Sequence, residues 1–146
     1  MRWLLLTSVF LAGCSRKAPA PDLKAELEKR FQTEMTGATL VGHSAMPDQQ
    51  TMSGEERYSI EKVSHLGGDT WLLTARMQIE GHAFPVPVPV QIKWAGDTPV
   101  IELTDLSIPG LGTYTARVVL YRDQYAGTWS SKDHGGQLFG KIEHPH

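Results

Sequence analysis

From Thr39 to the end of the chain, apolar residues recur at every second position, which is the period of a β-strand with one buried face. Turn signals rich in glycine, proline and aspartate separate most of the alternating segments. Closely spaced strands joined by turns predict a mainly β fold, in which an antiparallel meander forms an open barrel or curved sheet of about seven to eight strands. The predicted strands cover residues 39–44, 56–64, 70–80, 84–93, 100–108, 113–122, 125–130 and 137–143.

Prolines alternate with valines over residues 85–90, inside one of these predicted strands. Residues two apart in a strand direct their N–H groups at the same neighbour, so Pro85, Pro87 and Pro89 remove three donors on one side only. The pattern predicts an edge strand that pairs on its valine side alone, with the prolines as candidate contacts for another molecule. An unpaired flank here favours an open barrel over a closed one. The alternative interpretation is a polyproline II segment with no partner in the sheet.

The segment before the strands has a helical pattern. Pro21 and Asp22 are typical of a helix start, and Gly37 is typical of a helix end. A helix with one apolar stripe either packs on the domain or lies on a membrane surface. Acidic side chains on this helix suit an anionic lipid surface poorly, so we expect it to pack on the domain. The stripe consists of residues four apart: Leu23, Leu27, Phe31 and Met35.

The first residues of the chain are typical of a secretion signal. Arg2 precedes a short apolar core that is far below the roughly 20 residues of a permanent membrane-spanning helix. The core ends in Leu11-Ala12-Gly13-Cys14, which resembles the lipobox of bacterial type II signal peptides. Cys14 is the only cysteine of the chain and occupies the position that this motif requires. The resemblance implies cleavage before Cys14, attachment of a diacylglyceryl group to its thiol and acylation of its freed amine.

The lipobox resemblance divides the chain into a signal peptide over residues 1–13, a lipidated tether over residues 14–20 and a single β-rich domain with its N-terminal helix over residues 21–146. It also implies a lipid-anchored protein of the cell envelope, because two or more acyl chains hold a protein stably at a membrane. In lipoproteins of this type an aspartate after the cysteine often means retention in the inner membrane. Ser15 stands there instead, so the outer membrane, facing the periplasm, is favoured where the organism has one.

Composition limits the remaining function classes. Removing the 13 signal residues from 146 leaves 133, which suits one domain, and removing Arg2 changes the formal charge from −2 to −3. The absence of a large basic field argues against nucleic acid as a partner. Because lipid consumes Cys14, neither disulfides nor cysteine-type zinc sites are expected, and no metal or cofactor is predicted.

The histidines give only a weak indication of an active site. His134 and Asp133 follow Ser130, Ser131 and Lys132, so a hydroxyl, a base and an acid lie close together in sequence. Such groups form a triad only when folding gives them the right geometry, and a loop with Asp133 bound to backbone amides explains the same residues. A hydrolase or metal-dependent enzyme would need His43 or His65 brought to this loop. We expect a frayed end for the tail at His144.

The most distinctive stretch runs from Tyr125 to Gly140 and places Gly127 and Gly140 inside predicted strands. Glycine there allows another group to approach closely, and Trp129 is large enough to cover such a gap. Gly127-Thr128-Trp129 resembles the Gly-x-Trp strand of lipocalins and other calycins, in which the tryptophan caps the base of the barrel. In calycins, however, this motif opens the barrel. Residues 94–100 and 125–140 are also similar to uncharacterised bacterial envelope proteins, which implies no activity.

Three functional hypotheses follow from these residues. The favoured one is a non-enzymatic lipoprotein that binds a small apolar or amphipathic ligand or an envelope partner, with Trp129, Tyr125 and Tyr114 lining the site. The second is an envelope hydrolase or metal-dependent enzyme that uses His134 and Asp133. The third is an assembly or inhibitory protein that uses the exposed edge at residues 85–89 as its contact surface.

Overall fold

A computed structural model of the chain describes residues 22–79 and 82–145. The predicted signal peptide, the lipobox with Cys14 and the tether therefore lie outside the described residues. In the described part a single helix, α1, precedes nine strands, and a short 3₁₀ helix (Pro47–Gln49) joins the first two. The elements are α1 (Leu23–Met35), β1 (Thr39–Met46), β2 (Thr51–Met52), β3 (Glu56–Gly67), β4 (Thr70–Ile79), β5 (His82–Ala95), β6 (Thr98–Ile108), β7 (Gly112–Tyr121), β8 (Gln124–Ser130) and β9 (Gly135–Glu143).

The strands form one antiparallel barrel. β1 and β3 to β9 follow one another around it in chain order, and pairing of β1 with β9 closes it into eight strands. The two-residue β2 pairs with the end of β1 outside this ring. The mainly β, antiparallel prediction with an N-terminal helix is therefore confirmed, and all eight predicted strands are present. The barrel is closed rather than open, because two segments about a hundred residues apart in sequence pair along seven residues of β1.

The proline segment explains why an open sheet was expected. β5 is 14 residues long, and residues 82–90, which include all three prolines, pair with β4. Residues 91–95, which contain no proline, pair with residues 98–102 of β6. The remainder of β6, residues 103–108, pairs with β7. The prolines thus block only half of the strand, and the barrel closes through the other half. We call the unpaired interval between residues 82–90 and 103–108 the seam.

Alternation along the strands fills the inside of the barrel with apolar side chains. On β4 the inward residues are Trp71, Leu73 and Ala75, and on β5 the valines of the proline segment and Ile92 are buried while the prolines are exposed. Trp71, Ile92 and Val63 are the largest fully buried side chains. The barrel therefore has a packed core of its own and needs no disulfide to hold it.

Helix α1 covers one end of the barrel. The Asp22 carboxylate caps the helix by accepting hydrogen bonds from the backbone N–H groups of Lys24 and Ala25, as the sequence predicts. Phe31 lies edge-on against Trp71 at 5.3 Å and Trp94 at 6.4 Å between ring centroids. Leu27 and Met35 are buried as well, so the prediction that the helix packs on the domain is confirmed. Leu23, the first residue of the stripe, is 66% exposed.

No helix within the described residues combines the length and apolar character needed to cross a membrane.

We call the end of the barrel under α1 the closed end, and the opposite end, where β3, β5, β7 and β9 begin, the mouth.

The chain end at His144 is held in place, so the expectation of a frayed tail is wrong for this residue. Its Nδ1 lies 3.1 Å from the Glu34 carbonyl oxygen of α1, and its Nε2 lies 2.9 Å from a carboxylate oxygen of Asp123 in the β7–β8 turn. The backbone N–H of Ile142 also donates to the Asp123 carbonyl. The last strand is thereby fastened to the helix and to a hairpin at the closed end.

Candidate functional site

Trp129 lies at the mouth, one residue before the end of β8, on the same strand face as the buried Tyr125. Its ring is half-buried between Tyr114, at 6.4 Å, and His134, whose ring meets it edge-on at 5.3 Å. The indole Nε1 is buried and has no hydrogen-bond partner among the described residues. A buried donor without an acceptor is rare in folded proteins.

Tyr114 and Tyr125, the other two predicted ligand contacts, differ in depth. Tyr114 is half-buried near the mouth, and its hydroxyl donates to the Leu111 carbonyl at 2.8 Å. Tyr125 is almost completely buried, and burial raises the pKa of its phenol. Trp129 and Tyr114 are therefore accessible from the mouth, whereas Tyr125 belongs to the core.

Tyr125 also takes the place that the sequence suggested for Trp129. A Cβ added to Gly140 would lie 2.8 Å from the Tyr125 ring, and one added to Gly42 would lie 2.5 Å from its hydroxyl oxygen. These two glycines face each other on β9 and β1. The tyrosine ring thus lies across a glycine pair where the barrel closes, so Tyr125 rather than Trp129 covers Gly140. The closed end is covered by α1, so Trp129 does not cap the barrel base as in calycins.

A polar cluster that the sequence analysis missed lies on the inner face of β3 and β1 at the mouth. The half-buried carboxylate of Glu56 accepts hydrogen bonds from the Tyr58 hydroxyl at 2.6 Å and the Ser44 hydroxyl at 2.7 Å. Burial, followed by the hydrogen bond to Glu56, raises the pKa of Tyr58 far above its usual range. The signal was present in the alternation, because Glu56 and Tyr58 share the strand face of the buried Ile60.

The three prolines are exposed on the outer face of β5 along the seam. Proline has no N–H, so the valines supply the backbone donors of this segment. Those of Val86, Val88 and Val90 are directed at β4. The same valines are buried, so side-chain packing covers the inside of the seam without ladder hydrogen bonds between β5 and β6. The pairing on the valine side agrees with the sequence-based prediction for this half of the strand.

The histidines are not brought together. His134 and Asp133 are exposed in the β8–β9 turn, whereas His65 stacks on Trp71 at 4.2 Å near the closed end. His43 lies within 3.2 Å of the Ser53 carbonyl, and its ring is 6.2 Å from Phe139. Within the described residues, no group of three histidine, cysteine, aspartate or glutamate side chains is placed to hold a metal ion. The arrangement gives His134 and Asp133 no third group from His43 or His65.

A groove of about 610 Å³ lies at the closed end, between α1 and the turns of the barrel. Phe31, Met35 and Leu120 contribute to its lining, with Arg30 and Asp123 among the charged groups. A second groove, of about 580 Å³, runs outside β7 and the β8–β9 turn near Lys132. Neither groove is lined by Tyr114, Tyr125 or Trp129. The accessible part of the predicted site is therefore the rim of the mouth, because the closed half of the barrel is filled by side chains.

Comparison with known proteins identifies no relative. No protein family matches the sequence, and neither a curated protein nor a solved structure shows significant similarity to it.

Proposed function

We propose that this chain is a lipid-anchored protein of the bacterial cell envelope that binds a small amphipathic ligand at the mouth of its barrel. The anchor is Cys14, which follows the lipobox-like residues and is the only thiol of the chain. Helix α1 begins nine residues after Cys14, and so short a tether spans at most about 30 Å. The chain enters at the closed end, so the mouth on the opposite side is directed away from the membrane.

The observation that carries the ligand proposal is the unpartnered indole N–H of Trp129. Leaving a buried donor unpaired costs roughly 1–3 kcal/mol, which a ligand with a carbonyl, ester or hydroxyl acceptor would recover. Partly buried apolar residues surround the same rim, and Phe84, on the inward side of β5, is 38% exposed. An acceptor for the indole and an apolar chain for the rim together describe an amphipathic molecule. The rim side chains include Met77, Leu106, Leu111, Tyr114 and Leu138.

The ligand proposal is tested with Trp129→Phe, which removes the N–H and keeps an aromatic ring. Lauroylglycerol, a neutral amphiphile with an ester and hydroxyls, is the probe, and calorimetric titration is the measurement. We expect binding to weaken about tenfold, because a net hydrogen bond contributes about 1 kcal/mol or slightly more. Trp94→Phe at the closed end is the matched control and should bind as the unchanged protein does. Equal binding by the Trp129 variant, or no binding by the unchanged protein, contradicts the proposal.

The anchor is tested separately by feeding a bacterial host labelled palmitate. The unchanged chain should incorporate the label and sediment with membranes, whereas Cys14→Ser should do neither, because the acceptor thiol is gone. Ser15→Ala, which leaves the thiol in place, is the control. Label on the Cys14→Ser chain would rule out Cys14 as the attachment site.

A second candidate function is contact with an extended segment of an envelope partner at the seam. It is favoured by residues 82–90 of β5, which pair with β4 and leave their other side without a strand partner among the described residues. The three prolines of this half-strand are exposed. Hydrogen exchange tests whether the facing edge of β6 is free to pair. Seam-facing amides in residues 103–108 should exchange much faster than those of residues 98–102, which pair with β5. Equal protection of the two halves would argue against a usable edge.

A further inference from the structure

Glu56 is a half-buried negative charge inside the mouth, and no lysine, arginine or histidine of the described residues lies within 4.0 Å of its carboxylate. Its two oxygens accept one hydrogen bond each, from the neutral hydroxyls of Tyr58 and Ser44. A carboxylate has about four acceptor positions, so the cluster orients the charge without using its full capacity. Buried charges are normally paired with an opposite charge, and this one is only solvated by hydroxyls.

Two tyrosine rings lie near this carboxylate. Tyr58 donates to it directly, and the charge of Glu56 contributes to the raised pKa of Tyr125. Tyr114 is close enough to Tyr58 to act on its pKa as well. Trp129 packs beside Tyr114. A carboxylate beside tyrosine rings has the chemistry that recognises an organic ammonium group, through Coulomb attraction and through the negative faces of the rings.

The charges of the mouth favour a cation in the same way. Besides Glu56, the loops on this side carry Asp48 and Asp133, whereas Asp105 and Lys132 line the outer groove and Glu55 is paired with Arg57. Arg57, next to Glu56 in sequence, points to the outer face, where it bonds to Glu55 and to Glu143 of β9. A charged group that is partly shielded from water attracts ligands of the opposite sign.

We infer that the mouth selects an amphiphile whose head group carries an ammonium charge, with Glu56 as the counter-ion and the tyrosines as its aromatic wall. This inference rests on the proposed function, because it names the head group of the ligand that the Trp129 rim would hold. Glu56 and the Trp129 rim then bind different parts of the ligand. Glu56 recognises the cationic head, the Trp129 N–H binds an ester or carbonyl acceptor next to it, and the apolar rim holds the chain.

The test compares three lauroyl amphiphiles that share a chain and a carbonyl acceptor and differ in the charge of the head group. They are lauroylcholine, which is cationic, lauroylglycerol, which is neutral, and lauroylsarcosinate, which is anionic. Titrated below their micelle concentrations at low salt, they should bind in that order, with lauroylcholine at least tenfold tighter than lauroylglycerol. Glu56→Gln should reduce lauroylcholine binding to the level of lauroylglycerol. Glu61→Gln, which removes an exposed carboxylate bonded to Arg76 on the outer face of β3, is the matched control.

The outcomes separate the two proposals. Equal binding of the three amphiphiles by the unchanged protein, with a loss in Trp129→Phe, overturns the cationic head group and keeps the amphipathic site. No binding of any of them overturns both. If Glu61→Gln lost the cationic preference as fully as Glu56→Gln, the preference would come from the overall charge of the protein. That outcome would contradict a specific role for Glu56. The preference of the unchanged protein needs no variant, so it decides the charge of the head group even if the Glu56→Gln chain fails to fold.

Discussion

The two ends of the barrel differ in polarity. At the closed end, α1 presses Phe31 onto Trp71 and Trp94, and the aromatic core there is apolar and almost fully buried. At the mouth, the inward positions hold a carboxylate, hydroxyls and an indole N–H without a partner. Strand β3 runs from Glu56 at the mouth to the buried Val63 toward the closed end. One strand therefore contributes side chains to both the polar and the apolar end.

This difference indicates that the closed end contributes mainly to stability and that the mouth is the end suited to specific polar contacts. Burying apolar area contributes about 25 cal/mol per Å², so the apolar packing at the closed end stabilises the domain. Polar groups inside a barrel cost free energy unless they are fully bonded, and an orphaned donor is a net loss. Substitutions at the closed end should therefore be costlier than substitutions at the mouth.

The largest expected effect comes from Phe31→Ala at the closed end. Removing a ring that is 3% exposed leaves a cavity against two tryptophans, and we expect the free energy of unfolding to fall by about 3–5 kcal/mol. Urea unfolding followed by circular dichroism measures the loss. Leu23→Ala changes the exposed first residue of the same helical stripe and should stay within about 0.5 kcal/mol. Similar losses in both variants would mean that α1 does not close the barrel as described.

The glycine pair under Tyr125 gives the next largest effect. A methyl group at Gly140 would collide with the backbone of β1 and with the Tyr125 ring, so Gly140→Ala should destabilise the protein by about 1–3 kcal/mol. The control is Gly54→Ala, because a Cβ added at Gly54 meets no atom within 4 Å. Thermal unfolding of both variants decides the matter. A Gly140→Ala protein as stable as the Gly54→Ala protein would contradict the close approach of β9, β1 and Tyr125.

Most of the fold could be predicted from the sequence, because alternation and turn residues are local signals. The strand from Trp71 to Ile79 and the cap at Asp22 are examples in which each residue reports on its own surroundings. Closure could not be predicted, because it depends on pairing of β1 with β9, which no local pattern encodes. The prolines also concealed it, since their effect ends at Pro89 while β5 continues to Ala95.

The candidate site was predicted only in part. Trp129 and Tyr114 lie at the accessible mouth, whereas Tyr125 belongs to the core. Glu56 was missed because its role depends on Ser44, which folding brings from another strand. A single acidic residue at the start of a strand has no distinctive sequence signature. Its inward parity with Ile60 becomes informative only when the register of the strand is known.

At the mouth, Tyr58→Phe removes the shorter of the two hydrogen bonds to Glu56. Bonds to a charged acceptor contribute more than neutral ones, so we expect a loss of about 1.5 kcal/mol in the free energy of unfolding, smaller than at Phe31. Tyr121→Phe, which changes an exposed tyrosine near the closed end, should have an effect below about 0.5 kcal/mol. A Tyr58→Phe loss as large as that of Phe31→Ala would break the contrast between the two ends.

The smallest expected effect tests the histidine contact that fastens the chain end at the closed end. The hydrogen bond to the Asp123 carboxylate raises the pKa of His144 above its usual value, with a smaller contribution from the Glu34 carbonyl. Protonated histidine donates from both nitrogens, which matches its two acceptors. Because the folded-state pKa is raised, this stabilisation is fully present below the unfolded-state pKa of about 6.5 and is lost as the pH rises through the folded-state value.

The His144 contact should therefore add a pH-dependent part to the stability of the unchanged protein, greatest in mildly acidic buffer and declining above neutrality. Both partners are largely exposed, so solvent screening limits this part to about 0.5 kcal/mol or less. His144→Gln and Asp123→Asn should each remove it, and salt should weaken it. His134→Gln makes the same change at the mouth and should leave the pH profile of the unchanged protein intact. If His134→Gln rather than His144→Gln flattened the profile, the titrating contact would belong to the mouth and not to the closed end.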